Sequence, residues 1–202
     1  LASPAQWLKL SDAFYHASVD TRDGGAGIPV LFGFDAVHGA NDVTGATLFP
    51  QNIALGATRD PALVRAIGAA TAEESRAVGV DWTFAPTLTV PRDDRWGRSY
   101  EGYSENPELV ASYAAAAVEG LQGKVGAPQF LDTAHVIASA KHYLGDGSTQ
   151  NGKDQGDAEV SEAQLRDIAG AGYPPAIDAG VQTVMASFSS WNGVKMSGNK
   201  GL

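Results

Sequence analysis

Every polar, glycine-rich cluster in this chain follows a short apolar run. The clusters span residues 35–47, 91–105, 141–156 and 187–200. The runs before them span 28–34, 80–85, 136–140 and 181–187. The runs are apolar almost throughout instead of alternating with polar residues. That pattern fits strands covered on both faces, as in a parallel sheet wrapped by helices. Amphipathic stretches separate them. Ser3-Pro4 supplies an N-cap and a first helical residue for a helix to about His16, with Trp7, Leu10 and Phe14 on one face. Asp60-Pro61 opens a second helix ending near Gly79, with Leu63, Val64, Ile67 and Ala70 as its stripe. Asn106-Pro107 opens a third, with Leu109, Val110, Tyr113, Ala117 and Leu121 facing in. Ser161 and Gln164 form a capping box for a fourth, with Leu165 and Ile168 inward, and Pro174-Pro175 separates it from a short helix to Ala179.

Functional loops behind strands suit a (β/α)8 barrel, whose active site is built at that end. A dinucleotide-binding sheet needs G-x-G-x-x-G after a strand, and no such motif is present. A barrel takes about 250 residues and eight strands. Four runs in 202 residues predict roughly half to two-thirds of one. A chain beginning at Leu1 and ending in Met196-Ser-Gly-Asn-Lys-Gly-Leu202 is expected to be a fragment of a longer protein. No repeat, low-complexity tract or domain linker interrupts it.

Charge and cysteine count remove several functions. The net charge of −9 opposes nucleic-acid binding, because phosphate backbones are held by Lys and Arg. With no Cys there are no disulfides, thiolate zinc sites or thiol nucleophiles. No apolar stretch approaches the ~18 residues of a membrane span. H-E-x-x-H, P-loop, EF-hand and G-x-S-x-G patterns are all missing, and four scattered His match no metal spacing. No cofactor and no metal are expected.

Four clusters hold the remaining candidates. In the first, Asp35 at a strand end either accepts hydrogen bonds from paired hydroxyls or caps its own loop, and spacing leaves both open. His38 reads as a structural histidine. In the second, Arg92, Asp93, Asp94, Arg95 and Arg98 with Glu101 read mainly as an internal salt-bridge web, from which one Arg can still point inward. Trp96 is a sugar platform or core. In the third, Lys141, His142 and Asp146 at a strand end favour function over structure. Lys141 and His142 meet one ligand only if the backbone bends there, because neighbours on a strand point oppositely. In the fourth, Met185, Phe188 and Trp191 are rings and soft surface for a pyranose face, or core.

Taken together, the clusters resemble the N-terminal barrel domain of glycoside hydrolase family 3, from about Ile28 to Leu202. The motifs that carry this are Gly33-Phe-Asp-Ala-Val-His-Gly39, Thr47-Leu-Phe-Pro-Gln-Asn52, Ala85-Pro86, Arg95-Trp-Gly-Arg98, Tyr103-Ser-Glu105, Gly120-Leu-Gln-Gly123, Ala140-Lys-His142, Gly145-Asp-Gly147 and Ser189-Ser-Trp-Asn-Gly193. Each is weak alone; the order and spacing are specific. They look most like exo-acting β-1,3/1,4-glucan glucohydrolases and β-glucosidases. The family's β-N-acetylhexosaminidases carry a catalytic Asp/His loop where Leu144-Gly-Asp-Gly147 stands here, so that subclass is disfavoured.

The resemblance implies a pocket for a terminal glucose of a β-glucoside or β-glucan. Asp35 would bind its outer hydroxyls, Arg98, Lys141 and His142 would bind further hydroxyls, and Met185 and Phe188 would line the wall. Some relatives carry Tyr where Phe188 stands, which removes a hydroxyl contact. A retaining mechanism needs two carboxylates about 5–5.5 Å apart. By resemblance these are an Asp on a later strand and a Glu in a second domain, both beyond Leu202, so no catalytic residue is assigned in this chain. The chain alone is expected to be inactive and poorly stable. The alternative is a non-catalytic sugar-binding module derived from such an enzyme. An extracellular or periplasmic setting fits the negative charge.

Overall fold

The computed structural model describes residues 2–202. Its frame is a parallel sheet of four strands: β1 (Gly33–Phe34), β2 (Trp82–Thr83), β3 (Ile137–Tyr143) and, after a further short strand β4 (Asp157–Ala158), β5 (Thr183–Ala186). The order is β1-β2-β3-β5, all parallel, with Phe34 opposite Thr83, Thr83 opposite Ala138, and Ala140 opposite Val184. The order in the sheet follows the order in the chain without reversal. That is the arc of a (β/α) barrel; a doubly wound sheet reverses at a switch point.

Helices cover the sheet. The helix α1 (Pro4–Val19) starts at a Ser3–Gln6 capping box with Pro4 in its first turn. Next come α2 (Asn52–Ala57) and α3 (Pro61–Arg76), the latter capped by Asp60, whose Oδ1 accepts from the Leu63 N–H at 3.0 Å. Asn106 caps α4 (Pro107–Gln122), which ends at Gly123 with φ 76°. The helices α3 and α4 approach through glycines: a Cβ on Gly120 would stand 2.4 Å from the Arg65 carbonyl oxygen. The Ser161 capping box opens α5 (Glu162–Gln164), which continues as a wide π turn over Leu165–Ala169, and α6 (Tyr173–Asp178) leads into β5.

The main core lies between the sheet and α3, α4 and α6. Leu88, Val90, Val110, Tyr113, Leu165 and Tyr173 are buried there, and Tyr103 stacks on Tyr113 at 5.1 Å. A second cluster packs Phe34, Val78 and Val80 beneath Trp7.

Several sequence expectations need correction. The run 28–34 is a strand only at Gly33–Phe34, and Ile28 is 72% exposed with Val30 and Leu31 also in solvent. Its neighbour β2 pairs for just two residues, so 28–32 finds no continuous ladder to join. Leu10 and Phe14 on α1 are exposed, and only Trp7 of the expected face is drawn in, with its Nε1–H on the Asp42 carbonyl at 3.1 Å. The Pro174-Pro175 pair does not separate two helices but sits in the first turn of α6, where a missing N–H costs nothing. The polar stretch after β3 holds β4, which pairs with β6 (Ser190–Trp191), itself antiparallel to β7 (Val194–Lys195). This small second sheet has no counterpart among the sequence expectations, because two-residue strands leave no periodicity to read. Among the described residues no helix is long and apolar enough to cross a membrane.

Candidate functional site

An open cavity of about 350 Å³ lies at the carboxyl ends of the parallel strands. Asp35 follows β1, Lys141 and His142 end β3, and Met185 comes from β5. The loop 92–101 contributes Arg98, Tyr100 and Glu101, and the loop after β1 contributes His38, Asn41 and Gln51. Strand ends fix the first group rigidly, since each is hydrogen-bonded to a neighbouring strand.

Lys141 Nζ donates to Asp35 Oδ1 at 2.7 Å. The lysine side chain is nearly buried, at 5% exposure, while the carboxylate is 54% exposed. The pairing of β3 with β5 shifts register between Lys141 and Tyr143. The bend that the sequence required is therefore present, and both side chains reach the same cavity.

His142 is held from both sides. Its Nδ1 lies 2.8 Å from Asp146 Oδ2, and its Nε2 lies 3.4 Å from Arg98 Nη2. Arg98 grips Glu101 with two parallel bonds, Nε to Oε1 at 2.7 Å and Nη2 to Oε2 at 2.9 Å. Donating to the Glu101 carboxylate strengthens the guanidinium's hold on its protons above the usual value, against the opposing effect of burial. Asp146 stands between Gly145, which is left-handed at φ 88°, and Gly147, where a Cβ would stand 2.6 Å from Thr89 Oγ1.

The other charges of the second cluster face away. Arg95 hydrogen-bonds Asp93 and holds its carboxyl down at about 2, and Arg92 donates to the Glu105 carbonyl at 2.7 Å. Trp96 is core, with its Nε1–H on Asp154 Oδ1 at 3.0 Å. Trp191 is also packed inward, on the Val160 carbonyl at 2.8 Å. Phe188 stays apart from the cavity lining. It is 72% exposed, with the Lys195 ammonium 5.4 Å from its ring centre. The structure thus brings together five of the six expected residues and leaves Phe188 outside.

His38 hydrogen-bonds the Phe49 carbonyl through Nδ1 at 2.9 Å, as a structural histidine does, while also lining the cavity. Sequence reasoning passed over Asn41 and Gln51. Gln51 lies inside the Thr47–Asn52 motif and could have been found there; Asn41 carries no comparable signal. The Asn41 side-chain oxygen is buried without a hydrogen-bond partner.

Two cations, Arg98 and Lys141, balance two anions, Asp35 and Glu101, so the lining offers no net field for a phosphate or carboxylate ligand. It offers donors and acceptors side by side. That suits a neutral ligand whose hydroxyls both donate and accept.

Residues 2–202 match the family model of the glycosyl hydrolase family 3 N-terminal domain. A lysosomal beta glucosidase of Dictyostelium discoideum is 38% identical over 84% of this chain and 21% of its own length. A periplasmic beta-glucosidase of Salmonella typhimurium is 31% identical over 87% of this chain and 22% of its own length. The crystal structure of an exo-1,3/1,4-beta-glucanase from a Pseudoalteromonas species superposes with a TM-score of 0.95 at 54% identity, covering 98% of this chain and 25% of that one. The chain spans about a fifth to a quarter of the length of these relatives.

Proposed function

The chain belongs to the glycosyl hydrolase family 3 N-terminal domain family, and from that membership we propose that its protein is a retaining exo-acting β-glucosidase or β-glucan glucohydrolase. In this reading the chain supplies part of the barrel and the wall that holds a terminal glucose. Asp35, Arg98, Lys141 and His142 meet the sugar hydroxyls, and Met185 gives the wall an apolar patch. Phe188, which lies outside the cavity lining, takes no part in this reading.

The observation that carries the reading is the convergence of those five side chains on one cavity of balanced charge at the strand ends. The glucanase at 54% identity and a β-glucosidase from Listeria innocua crystallised with laminaribiose support a β-glucan as substrate. The relative named periplasmic supports an extracellular or periplasmic setting.

Catalysis needs one ionised carboxylate as nucleophile and one protonated carboxyl as acid. The two carboxylates lining the cavity are both engaged by cations, Asp35 by Lys141 and Glu101 by Arg98. Both are thus tied into the wall that meets the sugar, and in this reading the nucleophile and the acid are residues outside these 202.

Glucose release tests the reading. The full-length protein is expected to remove glucose from laminaribiose and from an aryl β-glucoside with retention at the anomeric carbon. Residues 1–202 alone are expected to give no turnover. Clear hydrolysis by 1–202 would overturn the assignment of the catalytic pair, and a full-length protein inert on both β-glucosides would overturn the reading itself.

A further inference from the structure

Asp146 does not line the cavity, yet it is only 8% exposed and its carboxylate is aimed at His142, which does. One carboxylate oxygen, Oδ1, accepts from the Gly147 N–H at 3.0 Å. The other, Oδ2, lies 2.8 Å from His142 Nδ1. Across the ring, Arg98 Nη2 lies 3.4 Å from Nε2. A carboxylate only accepts and a guanidinium only donates. The imidazole between them satisfies both neighbours in one form: neutral, with the proton on Nδ1 and the lone pair on Nε2.

We propose that Asp146 is a positioning residue that fixes this tautomer, so that His142 offers a ligand an acceptor and not a donor. The inference rests on the reading of the cavity as a terminal-sugar site. There, the hydroxyl that meets His142 takes the Nε2 lone pair in place of the long 3.4 Å contact from Arg98 Nη2, and must donate its proton to it. Its oxygen lone pairs are then free for the N–H groups of Arg98 or Lys141. The site would in this way require a true hydroxyl at that position and reject a group that only accepts.

The amide variant separates this role from a packing role. In Asp146→Asn the Gly147 N–H still claims the side-chain oxygen, which leaves an NH2 facing His142 Nδ1. Two donors cannot share that contact, so the ring proton moves to Nε2 and confronts Arg98. The change alters shape by almost nothing.

Neutron diffraction on crystals of the full-length protein reads the proton directly, and calorimetry with glucose reads its consequence. The wild type is expected to carry the ring proton on Nδ1 and Asp146→Asn on Nε2. The glucose Kd of the variant should rise roughly ten- to a hundred-fold. A wild-type proton on Nε2, or on both nitrogens, overturns the proposal without recourse to any variant. So does a moved proton with an unchanged glucose Kd. If the wild type binds no glucose and releases none from laminaribiose, the sugar-site reading fails instead. The proton position in the wild type still decides whether Asp146 sets the ring.

Discussion

The Lys141 ammonium reaches over β2 to donate to Asp35 Oδ1 at 2.7 Å, which ties the end of β3 to the end of β1 across 106 residues of sequence. The two partners are not equivalent, because the lysine is nearly buried and the aspartate is half in solvent.

That asymmetry sets the order of two substitutions. Asp35→Ala leaves a nearly buried ammonium without its partner and is expected to cost about 1–3 kcal/mol of stability. Lys141→Met keeps the stem's volume and returns a half-exposed carboxylate to water, at a cost of under about 1 kcal/mol. Urea unfolding of both variants checks this. A larger loss in Lys141→Met would show that the ammonium is held mainly by something other than Asp35.

Tyr113 joins three helices with one hydroxyl. It donates to the Leu55 carbonyl at the end of α2 at 3.0 Å and accepts from the Asp60 N–H at the start of α3 at 2.8 Å, all in the core beside Tyr103. Tyr113→Phe keeps the ring, leaves the Leu55 carbonyl to its two Thr58 donors, and leaves the Asp60 N–H only the longer bond to Thr58 Oγ1 at 3.3 Å. The expected loss is about 1 kcal/mol. A melting temperature equal to that of the wild type would mean that Thr58 or water replaces the hydroxyl.

The parts of this molecule that the sequence makes legible are those with a long period or a local signal. The Asp60, Asn106 and Ser161 caps mark helix starts to within a residue, because a cap is read from adjacent positions. The strands β1 and β2 are shorter than their apolar runs, because such a run says that residues avoid water and not that a partner strand runs beside all of them. Trp96 and Phe188 show the same gap at the site. Both are aromatic and both follow strands, yet one is buried on Asp154 and the other stands in solvent. The Asp146–His142–Arg98–Glu101 chain lies beyond sequence reasoning, since residues on two loops and a strand end meet only through the bend at the end of β3.

Acid should release one surface clamp in a defined window. Hydrogen bonds from Arg95, first through its side chain and then through its backbone N–H, lower Asp93 from 3.8 to about 2. The folded state therefore binds this proton less readily than the unfolded chain. Whatever the clamp contributes is fully present above pH 3.8 and is lost as pH falls through about 2. A carboxyl NMR titration should place Asp93 near 2 in the wild type and closer to 3.8 in Arg95→Ala. A wild-type midpoint near 3.8 would mean that the Arg95 hydrogen bonds do not persist in solution.

Gly147 and Gly97 offer a paired test of how tightly the loop after β3 is seated. A Cβ on Gly147 would stand 2.6 Å from Thr89 Oγ1 and 2.7 Å from the Val90 carbonyl oxygen, while one on Gly97 would meet nothing within 4 Å. Both glycines have φ values open to any residue, so backbone strain does not separate them. Gly147→Ala must push the loop away from Val90 and is expected to cost about 1–3 kcal/mol, whereas Gly97→Ala should stay within about 0.5 kcal/mol of wild type. The displaced loop carries Asp146 with it, because the Gly147 N–H is one of the two groups that hold its carboxylate. Gly147→Ala should therefore also weaken glucose binding, although residue 147 is not among the cavity's lining residues. Chemical unfolding and glucose calorimetry on both variants check the pair. Equal stabilities would show that the loop has room the geometry does not suggest, and a destabilised Gly147→Ala with unaltered affinity would show that Asp146 keeps its place by other means.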